Sequence, residues 1–318
     1  MKKYDVVIVN YNGEKIISDC LRSVYASSVQ PVQVIIYDNC SKDGSVALIK
    51  KEFPKVVLIE GKKNLGFGRA NNKAMKHSES EFILFMNNDL LLSRDCSEML
   101  LKSFMEEELA IMNPLIYKGW EKSGTEVYSF GSEMSTSGFA YGLFDIGENR
   151  TNLSCFSGAC FMARAQVIKR NRFEDNFFLY YEEPDISARV LMDGLKIGRY
   201  KEATCYHLEN YSSPKKKAEG IVFRQFYAIQ NRWYMLGKFW PLPLLVLAMP
   251  LNLFHLFYNV SFFLAHGKFK ETRLLYLSLF NLVQGRKRYQ PASNHKWTKR
   301  LRTTGLHDLI SLQKKVYK

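Results

Sequence analysis

The sequence lacks three signatures that would assign it to common classes of protein. None of its six cysteines form a Cys-x-x-Cys pair, which argues against a zinc ribbon or a thiol redox motif. The apolar run at residues 6–9 follows an acid and is too short for a signal peptide. The Gly-x-Gly of Gly66 and Gly68 lacks the third glycine of a dinucleotide fingerprint, because Asn71 occupies that place. We therefore predict free thiols in a reducing cytosol and argue against a Rossmann dehydrogenase.

Acidic residues are scarce in the last third of the chain. Residues 211–318 contain 19 Lys and Arg against 3 Asp and Glu, a net charge of +16, whereas residues 1–210 carry −2. A basic segment can bind nucleic acid or an anionic membrane surface. This one has no recognised nucleic-acid motif, and it lies beside an apolar run. We therefore predict an anionic membrane surface as its partner, and no nucleic acid.

The apolar run covers residues 239–265, which are 27 residues without Asp, Glu, Lys or Arg. It is long enough to span a bilayer, but Pro241, Pro243 and Pro250 argue against one continuous spanning helix. We favour a helical hairpin or amphipathic helices at the cytoplasmic face of the membrane. A membrane span and a helix buried against the rest of the protein are the alternatives.

The first 92 residues alternate between short apolar runs and segments with helical spacing of apolar side chains. The runs at residues 6–9, 32–37, 56–59 and 82–86 are typical of strands that are buried on both faces. Strand alternating with helix predicts an α/β fold with a Rossmann-like, mostly parallel sheet flanked by helices. In such sheets the carboxyl ends of the strands form the edge where ligands bind.

Polar residues follow three of these runs. They are Asn10 and Asn12 after the first run, Asp38 and Asn39 after the second, and Asn87, Asn88 and Asp89 after the fourth. Amides and carboxylates at this edge suit a base, a ribose and a metal-bound diphosphate. The lone carboxylate of Asp89 suits a hard divalent cation that shares substrate phosphates. A polar turn that caps the next helix is the alternative.

A second acidic group follows the aromatic run at residues 177–181. Glu182, Glu183 and Asp185 stand at a predicted helix start, with Pro184 in the first turn. Clustered carboxylates raise the pKa of one member, which suits a general base. An acidic helix N-terminus without a catalytic role is the alternative. His207, further along, is either a structural residue or a metal ligand.

These motifs, in this order, resemble the inverting family 2 glycosyltransferases with the GT-A fold. They look most like the rhamnosyltransferase-like branch of bacterial enzymes that build surface polysaccharides. The matching segments are residues 10–12, 38–45, 64–72, 87–89 and 178–185, together with His207. Each motif alone is weak, and five in the right order make the resemblance specific.

The resemblance implies a role for each group of residues. Asp38 would hold a uracil or thymine ring, with Asn12 and Asn39 nearby. The other residues assigned to the nucleotide are Asn10, Asn64, Gly66, Phe67, Asn71 and Asn88. Asp89 ends the metal-binding triplet and would hold Mg²⁺ or Mn²⁺ across the donor diphosphate, and His207 matches a histidine that completes this site in some relatives. The base position falls on Glu183, where Glu replaces the family's Asp, so Glu182 and Asp185 stay open as alternatives.

The implied reaction is the transfer of a sugar, with inversion, from a UDP- or dTDP-sugar to a saccharide acceptor that is lipid-linked. Residues 1–210 would form the GT-A catalytic domain, and residues 211–318 a helical, basic region for membrane association. The enzyme would be peripheral or monotopic at the cytoplasmic face of the plasma (inner) membrane and act in cell-surface polysaccharide biosynthesis. Glycines punctuate residues 110–149, which predicts loops and short hairpins there, and specificity is expected in the Gly-rich residues 117–160. The alternative is a catalytically silent, glycosyltransferase-like binding or scaffold protein.

Overall fold

The computed structural model describes residues 2–119, 126–208, 214–289 and 295–303. The predicted domain boundary between residues 210 and 211 lies outside the described residues. Residues 120–125 of the predicted specificity region, and the side chains of the basic residues 215–217, lie outside them as well.

Short and mostly buried strands make up the sheet. In chain order they are β1 Tyr4–Asn10, β2 Val34–Asp38, β3 Val57–Glu60, β4 Phe82–Asn87, β5 Leu90–Leu92, β6 Leu109–Lys118, β7 Val127–Ser129, β8 Ser132–Met134, β9 Ala140–Gly142, β10 Cys160–Arg164 and β11 Lys196–His207. The first five residues of β4 are all buried, as expected for a strand that is covered on both faces.

Within the described residues, nine strands form one sheet in the order β3-β2-β1-β4-β10-β6-β11-β5, and β7 pairs with β6. The strands from β3 to β4 are parallel, and β11 is parallel to β6. β10 runs antiparallel to both β4 and β6. The α/β fold with parallel pairing through its first strands is therefore confirmed.

One strand near the middle of the sheet contradicts the sequence-based expectation. The pattern predicts loops and short hairpins over residues 110–149, but β6 fills the start of this region and its first eight residues are buried. Pro114 interrupts the apolar pattern and has no N–H for the ladder. The sheet accommodates it through a bulge in β11, between Tyr200 and Thr204, which pair with Pro114 and its neighbour.

Helices cover both faces of the sheet and then continue as a C-terminal group. They are α1 Ile17–Tyr25, α2 Ser45–Glu52, α3 Phe67–Ala74, α4 Cys96–Ser103, α5 Ala165–Arg170, α6 Glu182–Met192, α7 Pro214–Phe239, α8 Leu242–Ala265 and α9 Phe269–Lys287. The glycines Gly237 of α7 and Gly285 of α9 bring these two helices close, since a Cβ on Gly237 would lie 2.1 Å from the carbonyl oxygen of Leu282.

The predicted apolar run forms α8, which is one continuous helix and not a hairpin. Pro241 precedes the helix and Pro243 lies in its first turn, where a missing N–H costs nothing, so only Pro250 is inside. Among the described residues, α8 is the one helix long and apolar enough to cross a membrane by length and composition.

The C-terminal helices share the hydrophobic core of the sheet. Met235 and Leu236 of α7, and Trp240 just beyond it, are buried in the same cluster as Phe85 of β4 and Phe161 of β10. Described residues of both predicted segments, 1–210 and 211–318, therefore pack around one common core.

A buried ion network ties α7 to α6. Lys238 Nζ donates to Asp185 Oδ1 at 2.7 Å and to Glu174 Oε2 at 2.8 Å, and the side chains of Lys238 and Asp185 are both buried. The second oxygen of Asp185 accepts a hydrogen bond from Arg189 Nε at 3.0 Å. Buried charges that are paired and hydrogen-bonded in this way hold the packing together, because removing one partner leaves the other as an uncompensated buried charge.

We predict that Lys238→Met lowers the free energy of unfolding by about 3 kcal/mol, because Asp185 and Glu174 lose their shared cation. Chemical denaturation of the purified variant measures this. The control is Lys102→Met, which removes a solvent-exposed pair with Glu98 and should leave stability close to that of the parent. Equal stability of the two variants would show that α7 is not held to α6 through this network.

Candidate active site

The carboxyl ends of β1, β2 and β4 meet at one edge of the sheet, and Asn10 connects them. Asn10 pairs in register with Asp38, and Val9 with Asn87. The buried carboxamide of Asn10 donates to Asp38 Oδ1 at 2.9 Å and accepts from Asn88 Nδ2 at 2.9 Å. The three strand ends are therefore joined by side-chain hydrogen bonds.

Asp38 is fixed by the loop that follows β2. Its Oδ2 accepts from the backbone N–H of Ser41 at 2.9 Å, and its Oδ1 accepts from the Ser41 hydroxyl at 2.6 Å. The exposed Asn12 lies next to this loop in a left-handed conformation, with φ at 53°. Its Oδ1 accepts from the N–H of Lys42 at 2.8 Å, so the loops after β1 and β2 interlock.

The loop before α3 is held by a pair of amides. Asn39 Nδ2 donates to Asn64 Oδ1 at 2.9 Å, and Asn39 Oδ1 accepts from the N–H of Leu65 at 2.7 Å. Gly66 follows with φ at 81°, and a Cβ there would lie 2.0 Å from the carbonyl oxygen of Phe178. Only glycine allows this close approach, which joins the loop to the segment that leads into α6.

Two amides of α3 have structural partners. Asn71 is buried, and its Nδ2 donates to the carbonyl of Phe67 one turn earlier at 3.1 Å. Its neighbour Asn72, which sequence reasoning did not assign, donates to the carbonyl of Phe173 at 2.8 Å and accepts from the Phe173 N–H at 3.0 Å. An amide paired with both groups of a distant peptide is visible only in the structure.

Asp89 and His207 face each other beyond the end of β4. The antiparallel pairing of β5 with β11 brings His207 Nε2 to 3.5 Å from Asp89 Oδ1. The histidine ring stacks on Tyr128, with ring centroids 4.2 Å apart. Asp89 Oδ1 is buried without a hydrogen-bond partner, and burial raises the pKa of this carboxyl while the nearby His207 lowers it.

The donor set of a carboxylate and an imidazole fits a divalent cation whose other ligands come from elsewhere. Within the part of the chain that the structure describes, no three His, Cys, Asp or Glu side chains come close enough to hold a metal ion by themselves. The unpartnered oxygen of Asp89 is the position where a cation would satisfy a buried acceptor.

Glu182 and Glu183 begin α6 after two consecutive left-handed residues, Tyr180 with φ at 67° and Tyr181 with φ at 71°. Glu183 lies against Gly158, where a Cβ would be 2.0 Å from Glu183 Oε1. Burial raises the pKa of Glu183, and a hydrogen bond from the Gly158 backbone partly offsets this.

Glu182 differs from its neighbour because it is almost fully buried and its Oε1 has no hydrogen-bond partner. Burial first, and the charge of Glu183 second, raise the pKa of Glu182 well above its usual range. Asp185 is also buried, but both of its oxygens accept hydrogen bonds from cations, Lys238 and Arg189. Of the three acids, Glu183 is therefore the one that is partly exposed and free of a cationic partner.

The strand end that carries Asn87 to Asp89 and the turn that carries the acids are adjacent. The N–H of Asn87 donates to the carbonyl of Ala159 at 2.9 Å, and Gly158, the residue before, contacts Glu183. The N–H of Phe67 donates to the carbonyl of Phe178 at 3.0 Å. The structure thus brings the strand-end polar residues, the glycine loop and the acids together around one edge of the sheet.

Residues 5–172 match the profile of a family described as Glycosyl transferase family 2. A 100-residue segment is 29% identical to the poly(ribitol-phosphate) beta-N-acetylglucosaminyltransferase TarS of Staphylococcus aureus and covers 30% of this chain and 18% of that protein. A 93-residue segment is 36% identical to the poly(ribitol-phosphate) beta-glucosyltransferase of Bacillus spizizenii and covers 27% of this chain and 15% of that protein. The matched segments make up less than a fifth of either relative.

Two solved structures share the fold. A GalNAc-T7 structure with UDP, GalNAc and Mn²⁺ superimposes with a TM-score of 0.59 and 14% identity, over 76% of this chain and 49% of that one. The mannosyltransferase PcManGT of Pyrobaculum calidifontis, in complex with GDP-Man and Mn²⁺, superimposes with a TM-score of 0.53 and 14% identity. The superposition covers 90% of this chain and 87% of that one. Because 90% of this chain exceeds residues 1–210, the second likeness extends into the C-terminal helices.

The raised pKa of Glu182 predicts a stability that depends on pH. A carboxyl whose folded-state pKa lies above its unfolded value costs stability as the pH rises through the raised pKa. Glu182→Gln should therefore be more stable than the parent at pH 8, and the difference should vanish near pH 4.5. Thermal unfolding at both pH values measures it.

The matched control is Glu98→Gln. Lys102 lowers the pKa of the partly exposed Glu98, so this variant should lose a little stability at pH 8 and none at low pH. If Glu182→Gln were destabilised to the same extent at both pH values, Glu182 would not be a strained buried acid.

Proposed function

Because the chain belongs to glycosyl transferase family 2 and has the GT-A fold, we propose that it transfers a sugar from a nucleotide-diphosphate donor to a saccharide acceptor. The observation that carries the proposal is the sheet edge where a fixed Asp38, an unpartnered Asp89 oxygen and a partly exposed Glu183 lie around one site. Recognition of a base, a diphosphate and an acceptor hydroxyl needs these three kinds of group.

The donor is a UDP- or dTDP-sugar in this proposal. Asp38 holds the pyrimidine, with Asn10, Asn12 and Asn39 fixing the loops around it. Asp89 and His207 would hold Mg²⁺ or Mn²⁺, which when bound neutralises the charge that builds on the leaving diphosphate. Two structures with the same fold contain Mn²⁺ with UDP or GDP-Man, which supports a metal-dependent donor site.

Glu183 is the general base in this proposal. Its carboxylate takes the proton of the acceptor hydroxyl as the hydroxyl oxygen bonds to the anomeric carbon. The bond from that carbon to the diphosphate oxygen breaks on the opposite face, so the nucleoside diphosphate leaves and the configuration inverts. Burial raises the pKa of Glu182 and so favours its neutral form, and Asp185 keeps its cations and supports α6.

The acceptor is a lipid-linked saccharide of a cell-surface polymer in this proposal. Two relatives carry names that describe sugar transfer to poly(ribitol-phosphate), which supports a surface polymer in general. The apolar helix α8 supports an acceptor presented at a membrane. One face of α8 packs on the protein through Asn252, Leu256 and Asn259, while Leu247 is 76% exposed and Phe257 is 59% exposed.

We propose that α8 lies in the cytoplasmic membrane surface as a peripheral or monotopic element. A helix with one face packed on the protein and one apolar face in solvent favours this over a span. Lys268 and Lys270, just after α8, would meet anionic headgroups, and so would the basic end of α9.

Donor binding is tested by a thermal-shift series with UDP, dTDP, GDP, CMP and NAD, each with and without Mn²⁺. We expect a stabilisation of about 2.7 kcal/mol with UDP or dTDP at a hundredfold excess over Kd, and only with Mn²⁺. Asp89→Ala should abolish it, whereas Asp95→Ala, at an exposed acid, should keep it. Nucleotide binding that is equally strong without Mn²⁺ and is unchanged in Asp89→Ala would contradict the assigned site.

Glu183→Gln should bind the donor like the parent and transfer sugar roughly 10²- to 10⁴-fold more slowly, since it loses the base. In the pH profile of kcat for the parent, the midpoint of the acidic limb should lie above the usual Glu pKa, because burial raises the pKa of Glu183. Glu107→Gln, at an exposed acid outside the predicted specificity region, is the control. Full transfer by Glu183→Gln would exclude this residue as the base.

Membrane binding is tested by co-sedimentation with vesicles that contain anionic lipid. Leu247→Gln or Phe257→Gln should weaken binding roughly tenfold or more, because each removes an apolar side chain from the lipid. Met105→Gln, which changes an 83% exposed residue outside the C-terminal helices, should have no effect. Unchanged binding of all three variants, or no binding by the parent, would overturn the membrane proposal.

A further inference from the structure

The turn before the catalytic acids holds two residues in a conformation that they rarely adopt. Tyr180 and Tyr181 are consecutive, neither is glycine, and both have positive φ. Each such residue costs on the order of 1–3 kcal/mol and persists only where its surroundings fix it. Since Glu182 and Glu183 follow directly, whatever fixes this turn also sets the direction in which the acids leave it.

The group that fixes the turn comes from the C-terminal region. Asn231 of α7 is 5% exposed, and its Nδ2 donates to the carbonyl of Leu179 at 3.0 Å and to the carbonyl of Tyr180 at 2.8 Å. One carboxamide therefore satisfies two successive carbonyls of the strained turn. Tyr181 is anchored separately, as its hydroxyl donates to the carbonyl of Gly138 at 3.2 Å.

We infer that Asn231 is a positioning residue for the transfer reaction, holding the turn that places the Glu183 carboxylate without itself contacting donor or acceptor. The inference rests on the proposed function, because it assumes that Glu183 is the base. It assigns a supporting part in the active site to α7, a helix outside the segment that matches the family, which ends at residue 172.

The Glu183 carboxylate fits tightly against the backbone that faces it. Its carboxylate lies against Gly158, where even a methyl group would collide with it. The titratable groups around it are Glu182 on its own helix, Tyr180 in the turn and Cys155 on the facing loop. A turn that relaxes would move the carboxylate away from Gly158 and into water.

The experiment compares Asn231→Ala and the near-isosteric Asn231→Leu, which lacks both N–H donors and adds no charge, with the parent enzyme. Rates are divided by the number of donor-binding sites, so that unfolded protein does not count. We expect kcat to fall roughly 10- to 100-fold, as displaced catalytic groups typically cause, while the donor KM and Kd stay within about twofold. The acidic limb of the kcat profile should move to lower pH as Glu183 becomes hydrated.

Asn281→Ala is the matched control. Asn281 Nδ2 donates to the carbonyl of Gln230 at 3.3 Å. The substitution therefore removes the same type of bond, between α9 and α7, and leaves the turn unchanged. We expect unchanged kcat and an unchanged pH profile. If both Asn231 variants kept the parent kcat per site, or lost kcat without any shift of the acidic limb, the positioning role would be overturned. Absence of transfer by the parent itself would instead count against the proposed function.

Discussion

The ion network around Lys238 is the interaction on which the rest of the structure depends. Its ammonium bonds Asp185 of α6 and Glu174 of the preceding loop, so one charge from α7 fixes both ends of the segment that carries the acids. Burying these groups is tolerable only because they are paired. The C-terminal helices are thereby part of the active-site scaffold, and their shared core with the sheet reinforces this.

The sheet edge that we propose as the donor side of the site is built from small polar side chains that bond one another. Asn10 joins three strand ends, and Asn39 with Asn64 shapes the glycine loop. Such a network positions Asp38 before any ligand arrives, which lowers the ordering cost of binding. Asp89 differs, because its buried Oδ1 faces the His207 ring but has no hydrogen-bond partner, a deficit that a bound cation would satisfy.

Sequence reasoning correctly placed Asn10, Asp38 and Asn87 at the ends of strands, because the apolar runs also indicate where each strand leaves the sheet. It missed β6, where Pro114 breaks the pattern and a bulge in a distant strand compensates. It also missed Asn72, Asn231 and Lys238, whose partners lie 50 or more residues away along the chain. Local patterns carry no information on such contacts. For the same reason, the ion pair of Asp185 with Lys238 was not predictable from the sequence.

The central claim is a single displacement at the anomeric carbon, with a base on one face and the leaving diphosphate on the other. The direct measurement is the anomeric configuration of the first product, followed by NMR while the enzyme slowly hydrolyses a UDP-α-sugar with Mn²⁺, with water as the acceptor. The account predicts that the β-anomer appears first and mutarotates afterwards. First release of the α-anomer would contradict the assignment of Glu183 as a base in an inverting reaction.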